Sequence, residues 1–156
     1  MKTKILVTGF EPYGVKGNLF KRNESKEIAL RLKKKYPELE ILILPVKDSC
    51  VQILVSKIKK YKPNIIICMG QSDWKFRIES MCSKGDKMLY SKFAEEIKAK
   101  LKFVYDNIGN YYCNDIYYEA LSRVPNTIFI HIPIYTKFQK VDRVVRYIIK
   151  KTRRFK

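Results

Sequence analysis

Two side chains in this sequence have the types needed for nucleophilic hydrolysis. His131 is the only histidine, and it follows an apolar run in Thr127-Ile-Phe-Ile-His131-Ile-Pro133. Cys113 lies eighteen residues earlier, in Gly109-Asn-Tyr-Tyr-Cys113-Asn114, just inside an expected helix. A thiol near a helix start has its thiolate favoured by the positive end of the helix dipole. An imidazole can take the thiol proton and later return it to a leaving amine. A cysteine and a histidine that are separate in sequence are the usual components of an intracellular cysteine hydrolase. Each also has a plainer reading, Cys113 as a small packed hydrophobe and His131 as a hydrogen-bonded residue at a strand end.

The elements that must position these two groups follow from hydrophobic period and punctuation. Residues 4–8 form a short continuous apolar run ending at Gly9, the pattern of a strand buried on both faces. Asn23 is a helix cap for residues 24–35, with Ile28, Ala29 and Leu32 on one face, and Pro37 enforces the end. Residues 39–45 read as a second strand. Asp48 or Ser49 caps a second helix, with Val51, Leu54, Val55 and Ile58 inward. Residues 64–69 read as a third strand ending at Gly70. This β-α-β-α-β order predicts a parallel sheet with right-handed crossovers.

Beyond Gly70 the pattern is weaker. A short strand is expected around 76–79, then a polar loop at Ser83-Lys-Gly-Asp86, then a helix capped by Ser91 and running to about Ala99. Residues 101–105 read as a strand, 110–123 as a helix, 127–132 as a strand and 140–152 as the last helix. The fold class expected is α/β, a three-layer α/β/α sandwich with a mostly parallel central sheet. Without repeats, linkers or low-complexity stretches, residues 1–156 read as one domain.

Composition narrows the function classes. An apolar fraction of 46% belongs to a globular chain. The N-terminal apolar run is too short for a signal core, and no segment approaches membrane-spanning length, so no membrane partner is expected. The four cysteines, Cys50, Cys68, Cys82 and Cys113, show no CxxC pairing. With one histidine they predict no metal site, and free thiols fit a cytoplasmic location. The turn after the first strand lacks GxGxxG and no GK[ST] occurs, so no nucleotide cofactor is expected. The net charge of +18 comes mostly from lysines spread along the helices. The one dense basic cluster, Lys150-Lys-Thr-Arg-Arg154, reads as a solvated helix end, and a nucleic-acid partner is not expected from it.

Several segments, taken in order, resemble one family. Gly9-Phe-Glu-Pro-Tyr-Gly14 resembles the turn after the first strand of pyroglutamyl peptidase I, also called pyrrolidone carboxyl peptidase. Asp106-Asn-Ile-Gly-Asn-Tyr-Tyr-Cys113-Asn114 resembles its nucleophile motif, and Phe129-Ile-His131-Ile-Pro133 its histidine motif. Arg77-Ile-Glu79, following Gly70-Gln71, resembles its glutamate segment. Leu44-Pro45-Val46 and Lys62-Pro63-Asn64 also match in order.

The resemblance implies a cysteine exopeptidase that removes N-terminal pyroglutamate from peptides without a cofactor. It makes Cys113 the nucleophile, His131 the base and Glu79 the residue that orients the imidazole. A thioester acyl-enzyme follows, with the Cys113 backbone N–H as an oxyanion donor. Phe10 and Tyr13 match the two aromatic positions of the lactam pocket, with Gln71 beside them. Members of the family often assemble into dimers or tetramers, which leaves a homo-oligomer open. The stretch between Glu79 and the nucleophile motif is short for the family. That keeps an alternative in view, a catalytically impaired homologue using its basic surface to bind nucleic acid or another anionic partner.

Overall fold

The structure, a computed structural model, describes residues 3–13, 22–72, 75–101 and 112–153. Its elements run β1 (Ile5–Phe10), α1 (Glu24–Lys35), β2 (Glu40–Leu44), α2 (Cys50–Tyr61), β3 (Ile65–Ser72), β4 (Arg77–Glu79), β5 (Met81–Lys84), β6 (Lys87–Tyr90), α3 (Lys92–Leu101), α4 (Tyr112–Leu121), β7 (Thr127–Pro133) and α5 (Phe138–Arg153). The main sheet has the order β2-β1-β3-β7-β4. Its first four strands are parallel, and β4 joins the edge of β7 antiparallel. This is the mostly parallel α/β sandwich expected from the sequence.

Strand alternation divides the core in two. Ile5 and Val7, Ile65, Ile67 and Met69, Ile78, and Ile128, Ile130 and Ile132 face α1, α3 and α5. Leu6 and Phe10, Ile66 and Cys68, and Phe129 face α2 and α4. The second layer therefore covers the sheet face that also carries Gly70, Arg77, Glu79 and His131, because residues two apart share a face. Such two-sided burial explains why β1, β3 and β7 read as continuous apolar runs.

The helices obey their end signals. Asn23 Oδ1 accepts from the Ser25 backbone N–H at 3.0 Å and caps α1. Ser91 Oγ accepts from Ala94 N–H at 3.0 Å at the start of α3. Ser49 holds the cap position of α2 but makes no side-chain capping bond, and Asp48 instead accepts from the Tyr112 hydroxyl at 2.9 Å.

Three expectations are corrected. Strand β3 does not end at Gly70, because Gly70, Gln71 and Ser72 continue the ladder against His131, Ile132 and Pro133. The expected polar loop at 83–86 is a hairpin, with Cys82 paired to Leu89 and the turn at Gly85, whose φ is +57°. Leu101, expected to open a strand, is the last residue of α3. The remainder of that strand, 102–105, and the first residues of the expected α4 segment, 110–111, lie outside the described residues, as do Gly14 and 106–109 of the motifs.

Candidate functional site

The site is built on the β7–β4 ladder. Arg77 pairs with His131 and Glu79 with Phe129, so Glu79 and His131 are diagonal neighbours on one face. Glu79 Oε1 lies 2.9 Å from His131 Nδ1. Both residues are buried, Glu79 completely. Phe129, two residues before the histidine, packs its ring against the imidazole at a centroid distance of 5.0 Å, edge to face. The Tyr117 hydroxyl of α4 donates to the Glu79 carbonyl at 2.8 Å, which ties β4 to the cysteine-bearing helix.

Cys113 is half-buried near the start of α4. A β-carbon on Gly70 would stand 2.6 Å from its sulfur and 2.9 Å from Phe129 Cζ. Gly70 is also the β3 register partner of His131. The missing side chain at position 70 is thus the space that the sulfur occupies, in the same row as the imidazole. Asn114 fixes the helix against the hairpin. It accepts from Ser83 N–H at 2.9 Å and donates to Ser83 O at 2.6 Å.

Electrostatics at the thiol differ from the sequence expectation. Burial pushes the Cys113 thiol up to about 12, the charges of Cys50 and Glu79 act in the same direction, and only its own backbone N–H opposes them. Position at a helix start does not make the thiolate the resting form here, because desolvation outweighs the local dipole. At neutral pH the group therefore rests as a thiol.

The three expected substrate-side residues gather where β1 and β3 end. Phe10 is buried in the α2–α4 core, and its backbone N–H donates to Ser25 Oγ at 2.9 Å. Tyr13 is exposed. Gln71 Oε1 accepts from the Glu24 backbone N–H at 2.7 Å, so its carbonyl end holds the start of α1. Gly9 permits this close approach, since a β-carbon there would stand 2.7 Å from the Ser25 carbonyl oxygen. Helix α1 is therefore clamped against the end of β1 that carries Phe10.

Sequence reasoning missed Gly70 as a steric partner of Cys113, Phe129 as the support of the imidazole and Tyr117 as the brace of β4. The signals were present. Phe129 is two residues from His131 on a strand, and Tyr117 is four from Cys113 on a helix, so each pair shares a face. A cavity of about 370 Å³, lined by Ile65, Lys92, Phe93, Glu96, Asn126, Lys151 and Thr152, opens at the opposite, N-terminal end of β3 and β7 and contains none of these groups. Among the described residues no helix is long and apolar enough to cross a membrane.

The class defined by the fold is an α/β sandwich whose mostly parallel sheet carries Gly70, with the Cys113 sulfur against it, His131 and Glu79 on one face. Residues 3–81 match the model of the pyroglutamyl peptidase family, and the chain belongs to that family. It is 26% identical to the pyrrolidone-carboxylate peptidase of Bacillus subtilis (strain 168), over 92% of this chain and 83% of that protein. Identity to the protein of the same name from Thermosipho africanus is 28%, over 83% of this chain and 81% of that one. Among solved structures, a mutant pyrrolidone carboxyl peptidase from Pyrococcus furiosus superposes with a TM-score of 0.76 at 21% identity, covering 95% of this chain and 97% of that one. The Thermus thermophilus pyrrolidone carboxyl peptidase gives 0.73 at 20% identity, covering 91% and 96%. These two likenesses establish the fold.

Proposed function

We propose that this chain is an active cysteine exopeptidase that hydrolyses N-terminal pyroglutamate from peptides, with Cys113 as nucleophile, His131 as general base and Glu79 as the orienting carboxylate. The observation that carries the reading is the 2.9 Å contact between Glu79 and His131 Nδ1, in the same row as the Gly70 gap that receives the Cys113 sulfur. With Nδ1–H donated to Glu79, Nε2 carries the lone pair that takes the thiol proton. The sulfur then bonds to the lactam-bearing acyl carbon, and the C–N bond breaks as the imidazolium gives its proton to the leaving amine. Water, deprotonated by His131, cleaves the thioester and releases pyroglutamate. Because the thiol is raised to about 12, the base is required in the first step and not only in the second.

On the substrate side, Phe10 and Tyr13 supply the aromatic walls for the flat, uncharged lactam. With the Gln71 carbonyl oxygen engaged at α1, its amide NH₂ is the end that faces a substrate carbonyl. The Cys113 backbone N–H serves as an oxyanion donor. The chain works as one domain on a peptide partner, and its four free thiols suit a reducing cytoplasm.

The test is release of a fluorophore from a pyroglutamyl amide under reducing conditions, compared with Cys113→Ala. Release that depends on Cys113 supports the reading. No release by the folded wild-type chain, or release unchanged in the variant, removes it.

A further inference from the structure

We propose that Arg77 is a positioning residue that sets the tautomer of His131 by holding the charge and orientation of Glu79; this rests on the peptidase reading only where turnover is measured. Arg77 Nε lies 3.3 Å from Glu79 Oε1, the same oxygen that meets His131 Nδ1. The ladder forces this arrangement. Arg77 is the direct antiparallel partner of His131, and Glu79 lies two residues along on the same face. Guanidinium, carboxylate and imidazole therefore meet at one oxygen.

The need for a cation is physical. Glu79 is completely buried, and its Oε2 has no hydrogen-bond partner among the described residues. A desolvated carboxylate is costly unless its charge is compensated. A neutral imidazole supplies one hydrogen bond but no charge. Arg77, only 17% exposed along its side chain, supplies the charge from within the site. With Glu79 held as an anion, Oε1 can only accept, so Nδ1 must carry the proton and Nε2 is left free for Cys113. Without Arg77 a protonated Glu79 could donate instead, and the imidazole would present the wrong nitrogen to the thiol.

The single histidine makes the test direct, since every imidazole ¹⁵N signal belongs to His131. The neutral-ring tautomer is read by ¹⁵N NMR in wild type, Arg77→Lys and Arg77→Met. Wild type and Arg77→Lys are expected to hold the Nδ1–H form, and Arg77→Met to show a mixture. In turnover, Arg77→Met is expected to lower kcat about tenfold with KM within about twofold, and Arg77→Lys to restore most of the loss. An unchanged Nδ1–H tautomer in folded Arg77→Met overturns the proposal. If the wild type shows no turnover, the peptidase reading fails, and the tautomer alone still decides the role of Arg77. If Arg77→Met does not fold, combining it with Glu79→Gln decides. Recovery of folding supports Arg77 as the charge partner of Glu79, and continued failure counts against it.

Discussion

The sulfur of Cys113 occupies the place a side chain on Gly70 would fill, 2.6 Å from the would-be β-carbon. Gly70→Ala must therefore displace either the thiol or the Phe129 ring, which packs against the imidazole. A misplacement of this size costs on the order of 10²-fold in rate, and overpacking costs about 1–3 kcal/mol. Activity on a pyroglutamyl fluorophore and urea unfolding measure the two effects. Wild-type activity with the alanine in place would show that the sulfur does not react from this position.

Glu79→Gln keeps the size of the side chain but lets its amide donate to Nδ1. The imidazole would then keep its lone pair on the wrong side, as in triads whose carboxylate becomes an amide. The expected loss in kcat is on the order of 10³–10⁴-fold, with Cys113 still present and the secondary structure intact by circular dichroism. A loss below tenfold would mean that Glu79 does not orient the ring.

Cys113, Cys68 and Cys82 are each pushed up to about 12, all chiefly by burial. In His131→Ala, alkylation of Cys113 by iodoacetamide should rise about tenfold per pH unit above neutrality, because only the thiolate reacts. The same shifts predict alkaline lability. Native pKa values above the unfolded value of 9.0 leave the folded chain holding protons that the unfolded chain has shed. Stability is full below 9 and falls as pH rises towards 12. A urea midpoint that stays constant across this window would contradict the burial of these thiols.

Asp142 of α5 joins that helix to α1, accepting from Lys35 Nζ and from the Tyr36 hydroxyl, each at 2.8 Å. Burial acts to raise its pKa, but these hydrogen bonds and the charges of Lys35 and Arg146 outweigh it and hold the carboxyl below 3.8. A lowered native pKa stabilises fully above the unfolded value and is lost as pH falls through the native one. Asp142→Asn should cost about 1–2 kcal/mol at neutral pH, and the gap to wild type should narrow below about pH 3. Urea unfolding at the two conditions tests this, and a gap that grows with acid would contradict the sign.

Much of the scaffold was legible because both faces of β1, β3 and β7 are buried and their runs are continuously apolar. The span of α1 agreed with its cap at Asn23 and Pro37. The β5–β6 hairpin was not legible, since Met81–Lys84 and Lys87–Tyr90 are four residues each and carry almost no alternation. The far end of β3 is not legible because Gly70 looks like a stop, whereas its lack of a side chain lets the strand continue beneath the Cys113 sulfur. Cys113, His131 and Glu79 each stand in a motif that the sequence alone displays. The raised thiol was missed because desolvation depends on packing from α2 and the sheet, which helix position alone does not report.

Gly70, His131 and Arg77 form one row across β3, β7 and β4. The parallel pairing of β3 with β7 joins residues as far apart as Ile66 and Thr127. None of these contacts is local, so the row closes only after distant stretches of chain have been brought together. Refolding from denaturant should therefore restore helical ellipticity well before reactivity at Cys113. The delay between the two signals would time the last strand entering the sheet, making the thiol a built-in clock for completion of the fold.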